Sequence, residues 1–264
     1  MARQPDGPPP PPVVQRLRIR YAKRGRLRFT SHRDFARAFE RALRRAAVPM
    51  GYSAGFSPHP KISYVGAAPT GVASEAEYLE IGLAEERDPD VVRRDLDAAL
   101  PPGLDILAVV PTEGSSLPDR IEASWWRIEL PGADPAATEQ ALERFLALDT
   151  APVERLMKDG KRTLDARAAV LALGAPDADE ADGNAPCAII DLVVRHTTPA
   201  VRPDDVLTAL RQAAALSTPV TPMVTRLAQG RLDETPPAAD EPTAHLRLRL
   251  VDPLEPEVVA ATPQ

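Results

Sequence analysis

Two histidines, a lysine and three serines are the residues of this sequence best suited to proton-transfer chemistry. His32 lies in the cluster Ser31-His32-Arg33-Asp34. His59 and Lys61 lie in Ser57-Pro58-His59-Pro60-Lys61-Ile62-Ser63. Two imidazoles, an ammonium and nearby hydroxyls (Ser31, Ser57, Ser63) are the groups that general acid–base work on a phosphate would use. The same groups could instead hold an anion at a helix N-terminus, where free N–H groups assist. The plainer alternative is that His32 packs locally and His59 stiffens a loop between prolines. His32, His59 and Lys61 are therefore the catalytic candidates, and nothing in the sequence brings the two histidines together. A histidine-only metal site would lack a nameable third ligand. The one cysteine, Cys187, excludes a thiolate-built cluster within one chain and reads as a small core residue. No metal and no cofactor is expected. Gly51, Gly55, Gly66 and Gly71 match neither a dinucleotide fingerprint nor a P-loop, and no hydrolase elbow occurs.

These clusters sit inside a strongly basic stretch. From Arg16 to Lys61 there are thirteen Lys/Arg against two acids, Asp34 and Glu40. That is net +11 in a chain of net −6, so the remainder carries −17. Such asymmetry points to a polyanionic partner. Arg16, Arg18 and Arg20 alternate with Leu17, Ile19 and Tyr21, which predicts a half-buried strand with an arginine face. Arg26 and Arg28 continue the alternation after a Lys23-Arg24-Gly25 turn, predicting a hairpin. Arg16, Arg18, Arg20, Arg26, Arg28 and Lys61 are thus the candidate nucleic-acid contacts, made to phosphates rather than bases because the strand offers few aromatic rings. A solvated strand face, or one covered by the acidic half, would leave the same pattern.

The elements that must position these groups follow from periodicity. Ser31 predicts an N-cap, with Asp34 three residues on, for a helix reaching about Ala47. Phe35, Ala38, Phe39, Ala42, Leu43 and Ala46 form one face of that helix; Arg33, Arg37, Arg41, Arg44 and Arg45 form the other, which is expected to be merely solvated. Strands are predicted at 62–67, 75–83 and 104–110, with a helix opened by Pro89 between the last two. This βαββαβ order is that of a ferredoxin-like fold. The second half repeats the pattern without repeating the sequence: a strand at 121–130, a helix at 135–148, a hairpin around Asp159-Gly160, an extra helix at 165–173, an acidic loop at 175–186, a strand at 188–195, a helix at 203–215 and a strand at 222–227. The expected class is α+β, with two tandem ferredoxin-like halves at 14–115 and 116–231. A Pro-rich disordered leader (1–13) and an acidic, Pro-rich disordered tail (232–264) flank them. No run of about 18 apolar residues exists to span a membrane. The leader has no apolar core of a secretory signal, so a cytoplasmic protein is expected.

Three segments carry a family resemblance. They are Thr30-Ser31-His32-Arg33-Asp34-Phe35 with the following Phe39 to Ala46, then Gly55-Phe56-Ser57-Pro58-His59-Pro60-Lys61-Ile62-Ser63, then Gly71-Val72-Ala73-Ser74-Glu75-Ala76-Glu77-Tyr78-Leu79-Glu80. Together they resemble the radical SAM-linked domain of unknown function, most densely over residues 14–110. The resemblance implies a standalone, bacterial radical SAM-associated protein. It marks Ser31, His32, Asp34, Phe56, Pro58, His59, Pro60, Lys61, Ser74, Glu75 and Glu77 as motif positions without assigning their roles. With one cysteine, the chain lacks the three-cysteine motif that would let it generate a radical itself. The expected function is that of an RNA-binding accessory to RNA modification or processing. Its partners would be RNA and a radical SAM or RNA-processing protein. An RNA-directed enzyme using His32, His59 and Lys61, or an adaptor for an acidic protein, are the alternatives.

Overall fold

A computed structural model describes residues 10–157, 160–176, 187–238, 241 and 243–256. The chain divides into two units. The first runs to Arg120 and is rejoined by the residues from Leu254; the second is Ile121–Pro253.

In the first unit the elements are β1 (Gln15–Lys23), α1 (His32–Arg45), β2 (Ile62–Val65), β3 (Ala73–Leu83), α2 (Pro89–Ala99) and β4 (Leu104–Pro111). The strands pair antiparallel in the order β4-β1-β3-β2. The alternation of β1 sends Leu17, Ile19 and Tyr21 into a core shared with Leu79, Ile81 and Leu83 of β3. Phe35, Phe39 and Leu43 of α1 and Val92 and Leu96 of α2 close that core. Tyr21 stacks on Phe35 with centroids 4.2 Å apart, and Phe35 stacks on Phe39 at 5.7 Å. Each such pair contributes about 0.5–1.5 kcal/mol beyond the area it buries. α1 starts where the sequence places its cap. Ser31 Oγ accepts the Asp34 N–H at 3.2 Å and donates to the Asp34 carboxylate at 2.7 Å.

One expected element is replaced. Residues 25–29 form a 3-10 turn rather than the second strand of a hairpin. Both edges of β1 are already occupied, by β3 and by β4, so no edge remains for Arg26–Phe29 to pair with. Leu27 turns inward onto the core instead.

The second unit contains β5 (Ala123–Pro131), α3 (Pro135–Leu146), β6 (Pro152–Met157), β7 (Gly160–Asp165), α4 (Ala166–Ala169), β8 (Val170–Gly174), β9 (Cys187–Arg195), α5 (Pro203–Ala213), β10 (Met223–Asp233) and β11 (Arg249–Val251). Four strands pair antiparallel in the order β10-β5-β9-β8, and β6–β7 form a separate two-stranded sheet. Met157 lies opposite Gly160, and Lys158 and Asp159, part of the expected hairpin, lie outside the described residues. The helix expected at 165–173 is only four residues long. Val170–Gly174 pairs with β9 instead, where Val170 and Leu173 are buried. Most of the expected acidic loop, 177–186, lies outside the described residues.

The C-terminal side also differs from expectation. The tail placed at 232–264 contains β11, which pairs with β10 at Arg231, Leu232 and Asp233. Before it, Leu246 is buried against Ala123, Trp125 and Val193. Leu246, Leu248 and Leu250 alternate with Arg247 and Arg249, a two-residue strand period that stands in the sequence but is flanked by the prolines and acids on which the expectation of disorder rested. At the other end, residues 1–9 of the expected leader lie outside the described residues, and the Val14 N–H already donates to Leu83. The chain is mixed α+β, with antiparallel sheets and five α-helices among its described residues. None of those helices is long and apolar enough to cross a membrane.

Candidate nucleic-acid interface

The arginines of β1 are engaged within their own unit. Arg16 Nη1 lies 3.2 Å from Glu80. Arg18 is 1 % exposed; its Nε is 3.5 Å from Glu80, Nη1 donates to the Glu113 carbonyl at 3.0 Å, and Nη2 donates to the Ser115 carbonyl. Arg20 Nε donates to the Glu75 carbonyl at 2.8 Å. Lys23, also buried, donates from Nζ to the Ala68 and Pro69 carbonyls. Arg24 bonds both Glu75 oxygens and reaches Asp105 at 2.7 Å. The Glu75 bond raises the Arg24 pKa above its ordinary value. The expected free arginine face is thus a compensated network, with acids supplied by β3 and β4 from more than fifty residues downstream.

The other expected contacts divide. Arg26 is exposed on the 3-10 turn. Arg28 is half-buried and places its guanidinium 4.9 Å from the centroid of the exposed Phe29 ring, a cation–π contact.

The motif residues of β3 have structural roles. Ser74 Oγ accepts from Ala76 N–H, Glu75 holds Arg24, and Glu77 accepts the Ala68 N–H at 3.1 Å. Ser74 and Glu77 are buried, and the Glu77 bond fastens Ala68 of the loop before β3.

The outer face of α1 is different. Arg33, Arg37, Arg41 and Arg44 are all exposed, and among the described residues none of them has an ion-pair or hydrogen-bond partner. Spacings of four, four and three residues keep them on one side, opposite Phe35, Phe39, Ala42 and Leu43. One guanidinium recurs about every 6 Å of helix axis over most of its length. This arrangement is unfavourable in isolation. Like charges four apart cost about 0.2–0.5 kcal/mol per pair. Arg33 also sits in the first turn, at the positive end of the helix dipole. Arg45 alone turns aside, donating to the Ala99 carbonyl at 3.0 Å.

The second motif forms a loop hung from the sheet edge. Gly51 N–H donates to the Gly82 carbonyl at 2.7 Å, Lys61 N–H to the Gly51 carbonyl at 2.8 Å, and Gly82 N–H to the Lys61 carbonyl at 3.0 Å. A Cβ on Gly51 would stand 2.8 Å from Val13 Cγ2, so glycine is what permits this approach. Above these anchors Ser53 N–H donates to the His59 carbonyl and His59 N–H donates to Ser53 Oγ. Pro58 and Pro60 fix φ on either side of His59. The loop presents Phe56, 70 % exposed, with His59 and Lys61 also in solvent.

His32 lies edge-on against Tyr64 of β2, centroids 4.8 Å apart, and Tyr64 follows Lys61 by three residues. That contact ties the start of α1 to the strand that the loop enters. Burial raises the Tyr64 phenol pKa, and its hydroxyl has no hydrogen-bond partner among the described residues. His32, His59 and Lys61 are on neighbouring elements, yet among the described residues no hydrogen bond, ion pair or ring contact joins them. Nor, among the described residues, do three or more His, Cys, Asp or Glu gather there as a metal would require. Cys187 opens β9 and is half-buried.

An arginine stripe without ion-pair partners and an exposed aromatic ring are the kinds of groups that bind a phosphate backbone and stack a base. The sequence showed both groups but ranked the sheet arginines first, because the acids that neutralise them are distant in the chain. The profile of a family described as an uncharacterized protein conserved in bacteria (DUF2344) matches residues 16–203. No curated protein matches the chain.

Proposed function

We propose that this chain, which belongs to the DUF2344 family of uncharacterized bacterial proteins, binds RNA through the outer face of α1. The observation that carries this is the contrast between two sets of arginines. Those of β1 are paired, while Arg33, Arg37, Arg41 and Arg44 are exposed without partners among the described residues. A helix destabilised by like-charge spacing and a first-turn arginine is relieved of both when a polyanion lies along it.

We read each unit as a ferredoxin-like half. Support comes from strand orders β4-β1-β3-β2 and β10-β5-β9-β8 with helices between the first and second and the third and fourth strands of each set. The protein would act in the cytoplasm as an accessory, delivering RNA to a separate modification or processing enzyme of the radical SAM type. The single cysteine, Cys187, favours this over radical chemistry in the chain itself.

The test is sequencing of RNA crosslinked to the protein in its own cells, with an Arg33/Arg37/Arg41/Arg44→Gln variant as control. Enrichment of one RNA class, abolished in the variant, is the expected result. Enrichment no greater than that of the variant overturns RNA binding and directs attention to co-purifying proteins. An Arg16/Arg18/Arg20→Glu control would be misleading, because it sets three new acids beside Glu80 and removes the partners of a buried network.

A further inference from the structure

Resting on the RNA reading above, the geometry points to a narrower ligand: we infer that the first unit takes single-stranded RNA, with phosphates along α1 and an unpaired base on Phe56. Three observations carry this. The arginine stripe lies on the outer side of α1, facing away from the core that the helix covers. A duplex could meet such a rod only by admitting it to a groove or by touching it at the few points where a phosphate ridge crosses. The A-form major groove is too deep and narrow to admit a helix. A flexible single strand can lie along the rod and bring a phosphate to each guanidinium, about one per turn.

The second observation is the placement of aromatic rings. Of the five phenylalanines, Phe35, Phe39 and Phe145 are buried core residues. The other two, Phe29 and Phe56, are 59 % and 70 % exposed, and both lie in the basic segment. An exposed ring contributes little to the fold, and a duplex has no free base face to offer it. A single strand has one at every nucleotide, and stacking there tolerates any sequence.

The third is continuity. His32, beside Arg33, touches Tyr64 at 4.8 Å, and Tyr64 is three residues along β2 from Lys61. A strand of roughly 3.3 Å per residue places Lys61, the last residue of the loop, within about 10 Å of that contact. The loop is braced by the Ser53–His59 pair and two prolines, so Phe56 is offered on a pre-ordered arch.

The experiment is fluorescence anisotropy on the full chain. Probes are a labelled mixed-sequence RNA of about twelve nucleotides, within the site sizes of small single-strand binders, and the blunt duplex it forms with its complement. The wild type is compared with Phe56→Ala and with Arg33/Arg37/Arg41/Arg44→Gln between about 50 and 200 mM salt. The expected result is that the single strand binds at least about tenfold tighter than the duplex. Phe56→Ala then weakens the single strand about tenfold, with its salt dependence unchanged. The arginine variant flattens the salt slope by about 3, at roughly 0.7 for each phosphate no longer neutralised. Equal affinity for strand and duplex overturns the single-strand inference while RNA binding stands, as does an inert Phe56→Ala beside a weakened arginine variant. Binding of neither probe, or binding indifferent to the arginine variant, overturns the α1 site itself and the inference with it. Circular dichroism of each variant excludes misfolding as the cause of a weakened interaction.

Discussion

Arg18 and Glu80 stand opposite each other in the β1–β3 register, with the guanidinium Nε 3.5 Å from the carboxylate and Arg18 sealed from solvent. A residue that reads as a solvent-facing ligand contact is a buried cation. Its remaining N–H groups are taken by the carbonyls of Glu113 and Ser115, in the segment following β4.

Removing the acid should therefore be costly. Glu80→Ala leaves the Arg18 charge buried without its counter-ion and should destabilise the first unit by about 3 kcal/mol, the order seen when one partner of a buried pair is deleted. Arg16→Ala, on the exposed side of the same carboxylate, should cost less than about 1 kcal/mol. Urea unfolding of the two variants compares them directly; equal costs would show that the network is not what seats Arg18.

Ser31→Ala should shorten or loosen the start of α1, since its hydroxyl serves both the Asp34 N–H and the Asp34 carboxylate. Loss of such a cap costs about 1 kcal/mol. The thermal midpoint should fall, and amide exchange should quicken at Arg33 and Asp34 while the far end of the helix is unaffected. Ser31→Asn, which can still cap, should restore most of the stability.

Acid should weaken the second unit through His196. Its Nε2 lies 2.7 Å from the buried Ser124 hydroxyl. Desolvation, then the Arg226 charge, lowers its pKa below the ordinary histidine value. For a base whose folded pKa is depressed, the unfolded chain binds the proton first. Stability is then full above the unfolded value of about 6.5 and is lost as the pH falls through and below it, down to the folded value. Unfolding free energy measured from pH 7.5 to pH 5 should fall more steeply in the wild type than in His196→Gln. Parallel slopes would rule out this residue as the source.

Gly230→Ala should release the C-terminal strand. A Cβ at this position would lie 2.0 Å from the Val251 carbonyl oxygen, a backbone atom that cannot turn aside. β11 must move away from β10, so exchange at Arg231–Asp233 and Arg249–Val251 should rise together. Truncation after Leu232 should go further and lower the stability of the whole unit, because it removes Leu246 from the cluster with Trp125 and Val193. A truncated chain as stable as the wild type would mean that this segment is dispensable.

The sequence by itself determined the local elements. Alternation in β1, the Ser31 cap, the proline-opened helices and the two-faced pattern of α1 are set by interactions between residues a few positions apart, and they lie where periodicity puts them. It also marked the loop around His59 as unusual, since glycine and proline encode backbone geometry directly. Only the tertiary structure decided which charges are free. Arg18 and Arg33 are chemically identical, and each sits in a run of other arginines. What separates them is Glu80, Glu113 and Ser115, brought to Arg18 by strand pairing across 62 to 97 residues of chain, where Arg33 meets no such partner among the described residues. The hairpin that did not form has the same cause, as does the partner that the alternating segment Leu246–Leu250 finds in the second unit. A strand edge is available or occupied, and an apolar face is covered or open, only once distant elements have met.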